Sequence, residues 1–202
     1  MTAEAVSIPM APESSLPDWI FPPPEGFTAE DLDHLPHLPA HTELIDGSLV
    51  FVSPQLDFHT STIYLLEAGL RRAAPKGYRV RREMSVKLGP RQRPEPDLIV
   101  LKPGADVRSS ATYYPAGDVA LAVEVVSPES EERDRKRKPL LYAEAGIPHF
   151  WRVENDSGRP VVYVYELDPA TRAYVPTGIH HDRAKVTVPF DMDIDLAEID
   201  SI

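Results

Sequence analysis

Asp97 stands at the head of the stretch PEPDLIVLK, residues 94–102, directly before Leu98, Ile99, Val100 and Leu101. Glu124 sits inside a second apolar stretch, LAVEVVSPES, residues 121–130. Runs of this kind read as buried strands, and strands disfavour acidic residues. Burying an unpaired carboxylate is costly or forces it to take up a proton. Two acids in neighbouring core strands therefore suggest a shared cation. Opposed Cβ atoms on adjacent strands lie about 4.5–5.5 Å apart, and Mg²⁺ takes oxygen ligands at about 2.0–2.1 Å. Two such carboxylates can share one ion, which can activate water and offset charge on a phosphoryl group. The alternative is that Asp97 caps a turn and Glu124 pairs with an arginine.

Chemistry of that kind wants a further cation against the developing negative charge. Residues 133–138, RDRKRK, form a charged run, most of which should be solvated helix face. Asp134, Lys138, Leu141, Tyr142 and Ala145 nevertheless recur at helical spacing on one face. That face carries the apolar residues, so Lys138 is expected to look toward the sheet, while Lys136 points about 200° away. The alternative is a snorkelling lysine with a packed stem. Pro139 conflicts with an unbroken helix because it lacks a backbone donor. The helix either kinks there or starts later.

Positioning these groups requires strands and helices in alternation. Thr28 caps a short predicted helix, TAEDLDHL, with Asp31 three residues on. Asp46-Gly47 between apolar alternations in TELIDGSLVFV predicts a hairpin. DFHTSTIYLLEAGLRRAA is helical, with Ile63, Leu66 and Leu70 on one face and Pro75 and Gly77 as the stop. YRVRREMSVKL predicts one or two strands. The strand after Asp97, a loop over Lys102–Asp118 and the strand around Glu124 follow, then a helix over 131–145. IPHFWRVE, VVYVYEL and RAYVPT predict three more strands. The order is that of a mixed α/β domain with a central sheet.

The chain has 202 residues, 42% of them hydrophobic, which suits one globular core. Residues 1–27, with Pro22, Pro23 and Pro24 in succession, are expected to be an extended or disordered acidic arm. Residues 28–202 are expected to form a single domain. There is no cysteine, hence no disulfide or thiolate chemistry. No apolar run approaches the roughly 20 residues needed to span a membrane. The N-terminus lacks the Lys and Arg of a secretory leader. A cytoplasmic location is expected. The formal net charge of −11 argues against a polyanionic partner when taken whole. Residues 1–46 hold 9 acids and no base, however, and residues 186–202 hold 5 acids and no base. The intervening segment carries 18 acids against all 21 bases. The acidity thus belongs to the two ends, which read as solvated termini.

PEPDLIVL, LAVEVVSPES and RDRKRKPLLYAEAGIPHFWRVE together resemble the Uma-type putative restriction endonuclease family of the PD-(D/E)XK nuclease superfamily. The resemblance covers roughly residues 40 to 195, including TELIDGSLV and the region of His59. It implies a restriction-endonuclease-like core, a mixed central sheet flanked by helices. The implied chemistry is Mg²⁺- or Mn²⁺-dependent phosphodiester hydrolysis. Asp97 then matches the motif aspartate and Glu124 the second acid. Val126 stands where the superfamily pattern has its lysine, and Lys138, on the following helix, is the implied substitute. Glu43 matches an acid before the family's hairpin and is an expected third metal ligand, or else a surface strand residue. His59 falls at a family histidine position and is an expected accessory residue, or else a cap or core residue.

Nine cations lie between Arg71 and Arg93, with Glu83 the one carboxylate among them. Arg79, Arg81, Arg82, Arg91 and Arg93 are expected to contact nucleic-acid phosphates, which needs no sequence readout. An ordinary soluble face is the alternative. The loop over Lys102–Asp118, with Arg108, Tyr113 and Tyr114, is expected to gate or contact substrate. The expected partner is nucleic acid, DNA before RNA, and a homodimer is expected because nucleases of this fold often pair to cut both strands. The rival functions are a nuclease-fold module that binds nucleic acid or a protein without turnover, and a multimeric structural protein whose carboxylates are merely satisfied.

Overall fold

A computed structural model describes residues 17–202. Its elements are β1 (Glu43–Ile45), β2 (Ser48–Val50), α1 (Asp57–Ala73), β3 (Arg79–Arg82), β4 (Ser85–Lys87) and β5 (Leu98–Leu101), then β6 (Tyr113–Pro115), β7 (Val119–Val125) and α2 (Lys138–Glu144). β8 (His149–Asp156), β9 (Arg159–Asp168), β10 (Ala173–His180), β11 (Arg183–Val186) and β12 (Met192–Asp195) follow, and then a 3₁₀ helix, Leu196–Ser201. Six strands form the central sheet in the order β10-β9-β8-β7-β5-β3. β7 and β8 run parallel, and every other neighbouring pair in this sheet is antiparallel. The expected mixed sheet is the observed one.

The continuous apolar runs follow from burial on both faces. Leu98, Val100, Leu121 and Val123 point into the core beneath α1, where they meet Ile63, Leu66 and Leu70. Ile99, Leu101 and Ala122 point the other way, to Val86, Tyr142, Ile147 and Phe150. The hairpin β11–β12 closes the α1 side through Met192 and Ile194. Gly69 permits that contact, since a Cβ there would come within 2.7 Å of Ile194.

Asp46 and Gly47 both have positive φ, 54° and 77°, the combination that a two-residue type I′ turn demands. The expected helix after Thr28 contracts to a 3₁₀ turn, Asp31–Asp33. Thr28 donates to Asp31 from both its amide and its hydroxyl, at 2.7 and 2.9 Å. This acid-rich segment offers few apolar side chains to pack a longer helix. Glu83, with φ of 49°, separates β3 from β4. Part of the expected Lys102–Asp118 loop is strand β6, paired in parallel with β4, and Tyr114 is buried there.

Pro139 is accommodated by a change of helix type. Arg133–Arg137 form a π-helical turn, and Pro139 falls in the first turn of α2, where a missing N–H costs nothing. Of the proposed arm, residues 1–16 lie outside the described residues. Within 17–27, Asp18–Ile20 form a 3₁₀ turn, and Phe27 is buried against Ala29 and Leu44. Among the described residues no helix is long and apolar enough to cross a membrane.

Candidate active site

The antiparallel register of β5 and β7 sets Leu98 opposite Val123. Asp97, one residue earlier, therefore comes level with Glu124. Its Oδ2 accepts a hydrogen bond from the Val125 amide at 2.6 Å. Its Oδ1 lies 3.2 Å from Nε2 of His59, a buried residue in the first turn of α1. Strand alternation turns Glu124 to the α2 side of the sheet. There its Oε1 accepts from the Tyr142 hydroxyl, and its Oε2 accepts from Lys138 Nζ at 3.0 Å.

Lys138 Nζ is the hub. Besides Glu124, it lies 2.9 Å from Glu43 Oε1 and 3.2 Å from Asp134 Oδ1. Lys138 is 4% exposed, Glu43 2%, and Glu124 and Asp134 1% each. A solvated, snorkelling lysine is thereby excluded. Lys136, two residues earlier, leaves most of its side chain in solvent beside Glu132. Glu43 is also anchored by the Glu95 amide, at 2.8 Å to Oε1, and Asp134 by the Ser130 hydroxyl.

Burial pushes the carboxyls of Glu124 and Asp134 upward, in Glu124 well above the carboxylate range, and the nearby Lys138 charge only partly offsets this. Burial works the other way on Lys138, but Asp134, Glu124 and Glu43 together outweigh it and hold the ammonium protonated. His59 is likewise opposed by burial and drawn upward by Asp97. Across the same cleft, His41 Nδ1 lies 2.6 Å from Glu95 Oε1, a contact that raises the histidine.

These groups line an open cleft of about 380 Å³. Seven carboxylates border it (Glu43, Glu83, Glu95, Asp97, Glu124, Glu129 and Asp134), against two permanent cations, Arg133 and Lys138. Such a surface repels phosphate unless further positive charge enters. Asp97 and Glu124 offer oxygen donors from neighbouring strands. That donor set fits a hard divalent ion, and Mg²⁺ commonly binds through one or two carboxylates with water and substrate completing its shell. Among the described residues no group of three or more His, Cys, Asp or Glu side chains is placed to hold a metal ion, so protein ligands would number at most two. Glu43, expected to complete the metal site, is turned to Lys138 and the Glu95 amide instead.

Asp97, Glu124, Lys138, Glu43 and His59 thus come together. The five arginines do not. Arg93 is a correction: it is 3% exposed and sends both terminal nitrogens to Asp33, at 2.9 and 3.0 Å, with Tyr113 stacked 4.8 Å away. It belongs to the interior because its backbone bridges to Leu44 of β1. Arg91 is exposed but lies across Gly47 and donates to the Asp46 carbonyl. Arg82 pairs in register with Leu98, next to Asp97, whereas Arg79 pairs with Leu101 at the far end of β5. Several groups of the site, among them His41, Glu95, Ser130, Asp134 and Tyr142, were not assigned a role from sequence. Asp134 and Tyr142 share the inward helical stripe with Lys138, and that stripe was the signal that could have found them.

A family model described as Uma2, "Putative restriction endonuclease", matches residues 29–197. Among curated proteins, no relative matches. A crystal structure of a "putative nuclease belonging to DUF820" from Anabaena variabilis superposes with a TM-score of 0.63 at 16% identity. The match covers 87% of this chain and 98% of that one, which establishes a shared fold. With the family model spanning most of its length, the chain belongs to the Uma2 family.

Proposed function

We propose that this protein is a Mg²⁺- or Mn²⁺-dependent endonuclease that hydrolyses phosphodiester bonds, with DNA as its substrate. The observation that carries the proposal is the convergence of Asp97, Glu124 and Lys138 in one open cleft, an ammonium 3.0 Å from the second acid. Asp97 and Glu124 would hold the ion, which when bound supplies an activated water and offsets phosphoryl charge. The Val125 amide and His59 orient Asp97 from two sides. Tyr142 fixes the Glu124 carboxyl from below. Lys138 brings a permanent positive charge to the place where negative charge develops. Losing one such donor commonly costs about 10²–10³ in rate. The choice of DNA rests on the family's description as restriction endonucleases.

One observation favours a second reading, a nuclease-fold module that binds nucleic acid without turnover. Three carboxylates already surround the Lys138 ammonium within 3.2 Å. Incubation with mixed DNA and RNA, with Mg²⁺ or Mn²⁺ against a chelator, separates the two. The nuclease reading expects metal-dependent cleavage of DNA, lost in Asp97→Asn and in Lys138→Ala but kept in Lys136→Ala. Binding of nucleic acid with no cleavage under any metal would leave the second reading standing and remove the first.

A further inference from the structure

Lys138 reaches Glu124 from a different element, and that creates a difficulty for the proposed site. Glu124 has both oxygens occupied, Oε1 by Tyr142 and Oε2 by Lys138. A cation entering between Asp97 and Glu124 competes with the ammonium for Glu124 Oε2. Lys138 must then keep its place through its other two partners, Glu43 and Asp134.

Those two are not equivalent. Glu43 sits on β1 and shares its one contacting oxygen with the Glu95 amide. Asp134 lies one helical turn before Lys138 on the same stretch of chain. The π-helical turn Arg133–Arg137 between them keeps both side chains on the inward face. Asp134 Oδ2 takes the Ser130 hydroxyl, and Oδ1, which accepts no hydrogen bond, lies 3.2 Å from Lys138 Nζ as an ion-pair contact. Ser130 is itself fixed in a turn, where its hydroxyl accepts from the Ser127 amide at 3.1 Å. Asp134 is 1% exposed, so no solvent competes for it.

We infer that Asp134 is the positioning residue of Lys138, holding the ammonium in the cleft when Glu124 exchanges it for a divalent ion. The inference rests on the metal-dependent reading above and adds the residue that makes the relocated lysine workable. Asp134 acts through Lys138 and is not assigned to the metal.

The test reads the lysine directly. Wild type, Asp134→Asn and Ser130→Ala are treated with an amine-acylating reagent, with and without Mn²⁺, and modification of Lys138 is read by mass spectrometry. Calorimetry measures Mn²⁺ affinity on the same proteins, with Asp97→Asn for comparison. Lys138 of the wild type is expected to stay protected in both conditions. In Asp134→Asn it is expected to become several-fold more reactive only when Mn²⁺ is present, with Mn²⁺ affinity within about threefold of wild type. Ser130→Ala should show the same pattern, weaker. If cleavage is observed, kcat should fall in Asp134→Asn with KM for DNA little changed, and Asp134→Glu should restore part of it. Unchanged protection of Lys138 in Asp134→Asn would overturn the inference and leave the nuclease reading intact. A loss of Mn²⁺ affinity as large as that of Asp97→Asn would make Asp134 a ligand and also overturn it. Absence of Mn²⁺ binding to the wild type would remove the metal reading and this inference together. Should Asp134→Asn fail to fold, Ser130→Ala decides the outcome on the same readout.

Discussion

Replacing Lys138 by Met removes one positive charge and leaves three carboxyl groups, each no more than 2% exposed, facing one another. Breaking a buried ion pair by deleting one partner costs about 3–5 kcal/mol, because the other is left uncompensated. For a domain of this size 1 kcal/mol moves the melting temperature by about 2–4 °C. The expected loss is thus roughly 6–20 °C near pH 8. The loss should also depend on pH, with a sign that follows from the carboxyls. Glu124 and Asp134 have folded-state pKa values above those of the unfolded chain, pushed up by burial and held down by Lys138. Without the lysine both rise further. Between the unfolded and folded values the native state binds more protons, so stability falls as pH rises. The slope is at most about 1.4 kcal/mol per pH unit for each group. The variant's deficit should therefore be largest near pH 8 and shrink toward pH 5.5, as the buried acids take up protons.

Urea and thermal denaturation of wild type and Lys138→Met at pH 5.5 and 8 measure this directly. Adding Glu124→Gln to Lys138→Met should recover part of the loss, because the two residues are in contact and their effects are coupled. Lys136→Ala provides the control, since its partner Glu132 is an exposed i,i+4 neighbour, worth about 0.3–0.5 kcal/mol. A deficit below about 1 kcal/mol, or one equal at both pH values, would refute the charge-burial reasoning.

Arg82→Glu should weaken nucleic-acid binding at low salt several-fold more than Arg79→Glu, because Arg79 is three residues, about 10 Å, farther along the strand from Asp97. Both effects should fade as salt is raised, and equal losses would show that contact runs along the whole of β3. Arg93→Ala should lower stability by about 1–3 kcal/mol through the lost charge-assisted hydrogen bonds, since the Asp33 carboxylate left behind is exposed to solvent. A melting curve close to wild type would return Arg93 to the surface patch.

The two strand acids were legible because burial makes a carboxylate conspicuous, and an acid inside LAVEVV has no ordinary reason to be there. The inward lysine was legible because helical periodicity separates Lys138 from Lys136 even within an almost continuous run of charge. What stayed hidden depended on partners far away in sequence. Arg93 looks like its basic neighbours, and nothing near it announces Asp33, 60 positions earlier. β11 and β12 were hidden differently. Met192, Ile194 and Leu196 alternate with Asp193 and Asp195, a strand pattern that the acidity of residues 186–202 obscured. In the structure the apolar set is buried, and Arg183 pairs with both aspartates.

The lysine's location on a helix has a physical rationale. Val126 lies just past β7, where its amide continues the pairing with β8 by donating to Val153. A lysine there would have as its local carboxylate only Glu124, two residues back on the same face and about 7 Å away, which is also the acid proposed for the ion. On a helix the fourth residue back is a neighbour. Lys138 therefore arrives with Asp134 beside it, and the π-helical turn before Pro139 keeps that pair facing inward. If Lys138 serves as the proposed catalytic cation, its place on the helix gives up the short reach of the strand position. In exchange the charge comes with its own counter-ion, which under the proposed function would hold it while Glu124 engages an ion.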